Sequence, residues 1–79
     1  METLKETFHE FVVCIDNGHY PASLEQHKIY RALPDDDAEA EGDIRIIDES
    51  GEDYLYPALF FVPIDLPRSV EQSFRHVSK

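Results

Sequence analysis

Apolar and polar residues alternate in short runs along most of the chain, a pattern typical of β-strands. Each run is bounded by Gly, Pro, Asn or Asp, residues that favour turns. The first run is continuously apolar and rich in β-branched residues, which predicts a strand covered on both faces. The five predicted strands are FVVCI (11–15), KIYRAL (28–33), IRIID (44–48), DYLYP (53–57) and FVPI (61–64).

The segments between the strands predict their connections. DNG at 16–18 favours a tight reversal, and HYPASLEQ at 19–26 has no sustained period, so it predicts an irregular excursion. PDDDAEAEGD at 34–43 predicts an acidic loop because its like charges repel one another. ESGE at 49–52 supplies a turn centred on a glycine, and ALF at 58–60 is short enough for only one 3₁₀ turn.

From Pro67 the apolar period changes to that of an α-helix, with Val70, Phe74 and Val77 on one stripe. The sequence SVEQ fits a capping box. A helix of about ten residues is marginal alone, so it must dock on the sheet or on a partner. The predicted organisation is an N-terminal tail or short helix (1–10), a β-domain (11–66) and a C-terminal helix docked on it (67–79).

The strand pattern also predicts a core. The predicted core comprises Phe11, Val13, Ile15, Ile29, Leu33, Ile44, Ile46, Leu55, Phe60 and Val62, with the helix docked through Val70 and Phe74.

Charge narrows the range of partners. The chain has 79 residues and a net charge of −10, and residues 34–56 hold ten carboxylates against Arg45 alone, a local net charge of −9. Nucleic acids and anionic membranes are bound by clustered Lys and Arg, so neither is an expected direct partner. A basic protein surface is the expected direct partner.

Cysteine use and hydropathy predict the compartment. Cys14 is the only cysteine, so an internal disulfide is impossible and a reducing location is expected. No signal-peptide-like or membrane-length apolar run occurs. We therefore expect a soluble cytoplasmic protein.

The stretch SGEDYLYPALFFVPI (50–64) carries a resemblance. A glycine turn leads through an aromatic strand to Pro57, a 3₁₀ turn, an aromatic residue and a final strand, which resembles the signature of small SH3-like barrels. The chain also resembles small bacterial SH3-like barrel proteins carrying an IDESGEDYLYP block, a set that brings no activity with it. The resemblance implies a mainly β fold, a five-stranded SH3-like barrel with a short C-terminal α-helix.

The chain departs from SH3 domains that bind Pro-rich ligands. Those domains use a groove of stacked aromatics that includes a Trp, and this chain has no Trp. The Tyr that follows the Pro in that signature is here Phe60, which has no hydroxyl. Recognition of Pro-rich ligands is therefore a minor alternative, with Tyr20 and either Tyr54 or Tyr56 as its groove.

Strand alternation places two tyrosines of the fourth strand on the same face. One interpretation is that this face covers the core while the hydroxyls reach water. The other is that it forms a partner-binding patch, since Tyr anchors are enriched at interfaces. The candidate patch residues are Tyr20, Asp48, Glu52, Asp53, Tyr54 and Tyr56.

Other chemistry has weaker sequence support. Residues 37–48 match some calcium-loop positions, but their flanks are strand-like and their side chains depart from the usual ligands. The four histidines and Cys14 lack structural zinc spacing. Cys14 lies within an apolar run, and Glu49, Glu52 and Asp53 lie in a polar turn that would not separate their pKa values. No nucleophile elbow, phosphate loop or dinucleotide motif occurs, so an enzyme is not expected.

The sequence thus favours a non-enzymatic interaction module without a cofactor that binds an unknown basic protein. The alternatives are an inhibitor that imitates the charge of DNA, whose carboxylates would need phosphate-like spacing along one face, and a weak metal-binding protein. The terminal helix could dock within the chain or on a second copy, so a monomer and a weak homodimer are both compatible with it.

Overall fold

The computed structural model describes residues 9–77 and shows a mainly β fold, as the sequence predicts. Within these residues, five strands form one antiparallel sheet in the order β4-β3-β2-β1-β5. The strands are β1 (Phe11–Cys14), β2 (Ile29–Leu33), β3 (Asp43–Ile47), β4 (Asp53–Pro57) and β5 (Phe61–Pro63). All but two residues of the predicted N-terminal tail, 1–10, lie outside the described part.

The sheet is open. Within residues 9–77, no ladder joins β4 to β5, which remain at the two edges. The barrel closure expected from the sequence is therefore not confirmed. A 3₁₀ turn at Ala58–Phe60 joins the two edge strands along the chain, where the sequence predicts it.

The predicted acidic loop contains a helix, α1 (Asp36–Ala40). Asp35 caps its N-terminus, because its side chain accepts a hydrogen bond from the amide of Ala38 at 3.0 Å. The acidic residues in the first turn interact favourably with the positive end of the helix dipole, which stabilises the helix. Ala38 is buried. The loop prediction was wrong for these five residues because local capping offsets the charge repulsion.

In β1, β2, β4 and β5 the main core lies on the face opposite to the one predicted, whereas in β3 Ile44 and Ile46 face it as expected. Phe11 and Ile46 are buried as expected, but Ile15, Leu55 and Val62 are exposed. The remaining five predicted core residues are only partly buried. The buried cluster is instead Val12, Cys14, Leu24, Tyr30, Ala32, Ile46, Tyr56 and Phe61.

The register of the strands shows why these side chains share the buried face. Tyr30 lies opposite Val12, and Ala32 lies opposite Ile46, so one face carries both pairs. The small Ala32 leaves room there for large rings, and the Tyr30 and Tyr56 rings both lie edge-on to Phe61 at 6.4 Å between ring centroids.

The C-terminal helix, α2 (Arg68–Val77), contacts the sheet through an aromatic pair. The ring centroid of Phe74 lies 5.2 Å from that of Phe11. Pro67 precedes the helix, and its carbonyl accepts hydrogen bonds from the amides of Val70 and Glu71. Val70, the other residue predicted to dock the helix, is 39 % exposed.

Candidate partner-binding pocket

The turn between β3 and β4 is organised by Asp48, whose side chain is buried. One carboxylate oxygen, Oδ1, accepts hydrogen bonds from the Ser50 amide at 2.9 Å and from the Ser50 hydroxyl at 2.6 Å. The other, Oδ2, accepts from the hydroxyl of Tyr56 at 2.5 Å. Asp48 therefore ties the turn to the strand that follows it.

The pKa values of Asp48 and Tyr56 are shifted in opposite directions. Burial alone would raise the pKa of Asp48, but the hydrogen bonds from Ser50 and Tyr56 outweigh burial and lower it. Burial and the hydrogen bond to Asp48 raise the pKa of Tyr56 to about 12. At neutral pH the site thus holds a carboxylate and a neutral phenol.

The long loop between β1 and β2 packs against this turn. The ring of Tyr20 meets that of Tyr56 edge-on, with 5.1 Å between the ring centroids. The Ser23 carbonyl accepts a hydrogen bond from the Glu49 amide at 2.9 Å. The adjacent Leu24 is fully buried and anchors the loop in the core.

These elements enclose a shallow pocket of about 370 Å³, hereafter the tyrosine pocket. Tyr20, Tyr54 and Leu55 are each about half exposed, so large side chains are available to a partner. Tyr54 donates its hydroxyl proton to Glu52 at 3.2 Å, which raises the pKa of Tyr54. The lining residues are Tyr20, Ser23, Asp48, Ser50, Tyr54, Leu55 and Tyr56.

A second network supports the turn from the side of β2. Glu49 accepts a hydrogen bond from the Tyr30 hydroxyl and from the Lys28 ammonium, the latter at 2.7 Å. Lys28 and then Tyr30 lower the pKa of Glu49, while burial and the bond to Glu49 raise that of Tyr30. The Tyr30 hydroxyl oxygen also accepts from the Glu25 amide at 2.6 Å. The loop, β2 and the turn are thereby held together.

The structure brings together most of the predicted patch. Tyr20, Asp48, Tyr54 and Tyr56 line the tyrosine pocket, and Glu52 joins its rim through Tyr54. Asp53 does not join it, because its carboxylate lies 3.0 Å from the Arg45 guanidinium.

Three lining residues were not among the predicted patch residues. Ser50 follows Asp48 by two residues, the spacing of an Asx turn, so a local signal for it was present. Leu55 was predicted to lie in the core, but its side chain is 45 % exposed. Ser23 lies in a loop without a period, and only the tertiary fold brings it into the lining of the pocket.

The acidic segment borders a separate cavity of about 420 Å³. Its floor includes Val12 and Ile44, and Asp36, Glu39 and Asp43 are among its lining residues. Arg45 binds Asp35 through two nitrogens, at 2.8 and 2.7 Å. Hydrogen bonding to the Ala38 amide and to Arg45 lowers the pKa of Asp35.

The described part of the chain has neither a metal-binding cluster nor a membrane-spanning helix. There, no group of three or more His, Cys, Asp or Glu side chains is placed to hold a metal ion. None of the helices in residues 9–77 has the length and apolar character to cross a membrane. Cys14 is a free, fully buried thiol whose pKa is raised by burial.

Comparisons of the chain with protein-family models, with curated proteins and with solved structures gave no match.

Proposed function

We propose that this chain is a non-enzymatic interaction module that binds a basic protein surface through the tyrosine pocket. The observation that carries the proposal is the grouping of Tyr20, Tyr54 and Leu55, all substantially exposed, around one concave site. Tyr side chains are frequent anchors of binding energy at interfaces because they are large and rigid and carry a polar end.

The electrostatics favour a basic partner. The segment 34–56, with its net charge of −9, includes the turn and the strand that form the pocket. Long-range attraction would raise the rate of encounter with a positively charged surface and select against acidic ones. The aromatic anchors would then supply short-range affinity.

The pocket wall is preorganised. Tyr56 and Asp48 are buried and hydrogen-bonded to each other, and the β1–β2 loop is bonded to the turn. Binding to a wall that is already ordered loses less conformational entropy. A partner could therefore bind without reorganisation of the sheet.

We also infer an SH3-like plan for the fold. Three features support it: the antiparallel order β4-β3-β2-β1-β5, the long first loop and the 3₁₀ turn before β5. In this plan the tyrosine pocket lies where the first loop meets the β3–β4 turn. Cytoplasmic binding, where Cys14 would stay reduced, completes the proposal.

The test is an affinity pull-down from a lysate of the native source with two matched variants. Leu55→Ala removes a pocket side chain, and Leu59→Ala removes a leucine that is 87 % exposed and outside the pocket lining. Circular dichroism confirms that both fold. We expect a basic protein, released by salt, that is bound by wild type and by Leu59→Ala and is reduced on Leu55→Ala.

A Tyr54→Ala variant repeats the test at a second pocket position that is 51 % exposed. If folded Leu55→Ala and Tyr54→Ala both retain the same proteins as wild type, the tyrosine pocket is not the binding site and the proposal fails.

A further inference from the structure

Three hydroxyl protons of the tyrosine pocket are committed to carboxylates in its wall or at its rim. Ser50 and Tyr56 donate to Asp48, and Tyr54 donates to Glu52. These three hydroxyl groups therefore offer a ligand only acceptor lone pairs.

The backbone amides of the turn, residues 48–52, are committed as well. Glu49 donates outward to the β1–β2 loop, and the other four donate within the turn. The bonds are Asp48 N to Glu52 O (3.0 Å), Glu49 N to Ser23 O (2.9 Å), Ser50 N to Asp48 Oδ1 (2.9 Å), Gly51 N to Asp48 O (2.9 Å) and Glu52 N to Ser50 Oγ (3.1 Å). The turn is consequently not an anion-binding nest.

These committed donors restrict the chemistry of a ligand. A phosphate or carboxylate would meet the carboxylates of Asp48 and Glu52 without a donor from the turn amides or from the hydroxyls of Ser50, Tyr54 and Tyr56. A cation with several N–H donors would meet oxygen acceptors and the rings of Tyr20 and Tyr54, a combination that favours cations.

Resting on the proposed function, we infer that the tyrosine pocket binds an arginine side chain of the basic partner. The guanidinium has five donors and a flat face that stacks on aromatic rings, and it is less strongly hydrated than an ammonium group. The pocket is shallow and its acceptors, on Ser50, Glu52, Tyr54 and Tyr56, belong to separate side chains. The five donors of one planar guanidinium suit acceptors on separate side chains better than the three donors of a lysine ammonium group.

The experiment is an NMR titration of the ¹⁵N-labelled full chain with three blocked pentapeptides. They share the sequence Gly-Ser-X-Ser-Gly, where X is arginine, lysine or citrulline, the last a neutral side chain of nearly the same shape. We expect amide shifts at residues 48–56 and about two- to fivefold tighter binding of the arginine peptide than of the citrulline peptide. The lysine peptide should lie between them.

Two variants keep the result interpretable. Glu52→Gln leaves an exposed turn side chain neutral and should reduce the preference for arginine over citrulline, whereas Leu59→Ala should leave it unchanged. Equal binding of arginine and citrulline peptides, or shifts confined to residues outside the pocket, would overturn the inference. If no peptide binds but the pull-down still shows a pocket-dependent basic partner, the arginine inference fails while the proposed function stands.

Discussion

The hydroxyl of Tyr56 lies 2.5 Å from a carboxylate oxygen of Asp48, a residue eight positions earlier, and both side chains are almost fully buried. The bond closes the β3–β4 hairpin and forms the back wall of the tyrosine pocket. The stability of the hairpin and the shape of the pocket therefore depend on the same pair.

Replacing Tyr56 with Phe should lower the free energy of unfolding by about 1–3 kcal/mol, because a buried carboxylate loses a hydrogen-bond donor. Tyr54→Phe is the matched control. Its hydroxyl is exposed, so the change should be within about 0.5 kcal/mol. Urea unfolding followed by circular dichroism measures both, and equal losses would show that the bond does not stabilise the fold.

The same pair predicts a loss of stability at alkaline pH. The pKa of Tyr56 is about 12 in the folded chain and about 10 when unfolded, so the contribution is complete below pH 10 and is lost as pH rises towards 12. The difference in unfolding free energy between wild type and Tyr56→Phe should fall by about 1.4 kcal/mol per pH unit across this interval. A difference that is constant with pH would contradict the raised pKa.

A matched pair of valines tests which sheet face is the core. Val12 is 1 % exposed and Val62 is 42 % exposed. Val12→Ala should cost about 1.5–3 kcal/mol of unfolding free energy, and Val62→Ala less than about 1 kcal/mol. If Val62→Ala cost more than Val12→Ala, the core would lie on the face that the sequence pattern predicts.

Glycine substitutions test the packing of the first loop. A Cβ at Gly18 would lie 2.6 Å from the ring of Phe60, whereas one at Gly51 meets no atom within 4 Å. Both glycines have positive φ, so each alanine costs about 1–2 kcal/mol from backbone strain. Gly18→Ala should cost about 1–3 kcal/mol more because the ring must shift. Equal melting temperatures for the two variants would show that Phe60 does not contact the loop there.

Local patterns were sufficient to predict the strands and the 3₁₀ turn. Pro57 and the apolar period fixed β4 at Asp53–Pro57 and the turn at Ala58–Phe60. The buried face was not predictable from β1, because FVVCI contains no polar residue to mark the exposed side. In β2, Arg31 indicates the exposed face, and Ile29 lies on the same face because the two residues are two positions apart. The pattern of β2 therefore already argued against Ile29 as a core residue.

The pocket depends on contacts that sequence patterns do not encode. Alternation predicts Tyr54 and Tyr56 on the same face, but Tyr54 is 51 % exposed while Tyr56 is buried, with Tyr20 and Asp48 packed against it. The approach of Tyr20 and Ser23 requires the whole excursion between β1 and β2 to fold back over the turn. Similarly, α1 depends on Arg45, which binds Asp35 from ten residues away.

The most direct test of the central claim is the map of amide chemical shifts in the ¹⁵N-labelled chain when the captured basic partner is added. The tyrosine pocket account predicts that the largest changes fall at residues 20–23 and 48–56 and vanish in Tyr54→Ala. Changes concentrated in α1 or α2, with the pocket amides unmoved, would contradict it and place the binding surface elsewhere.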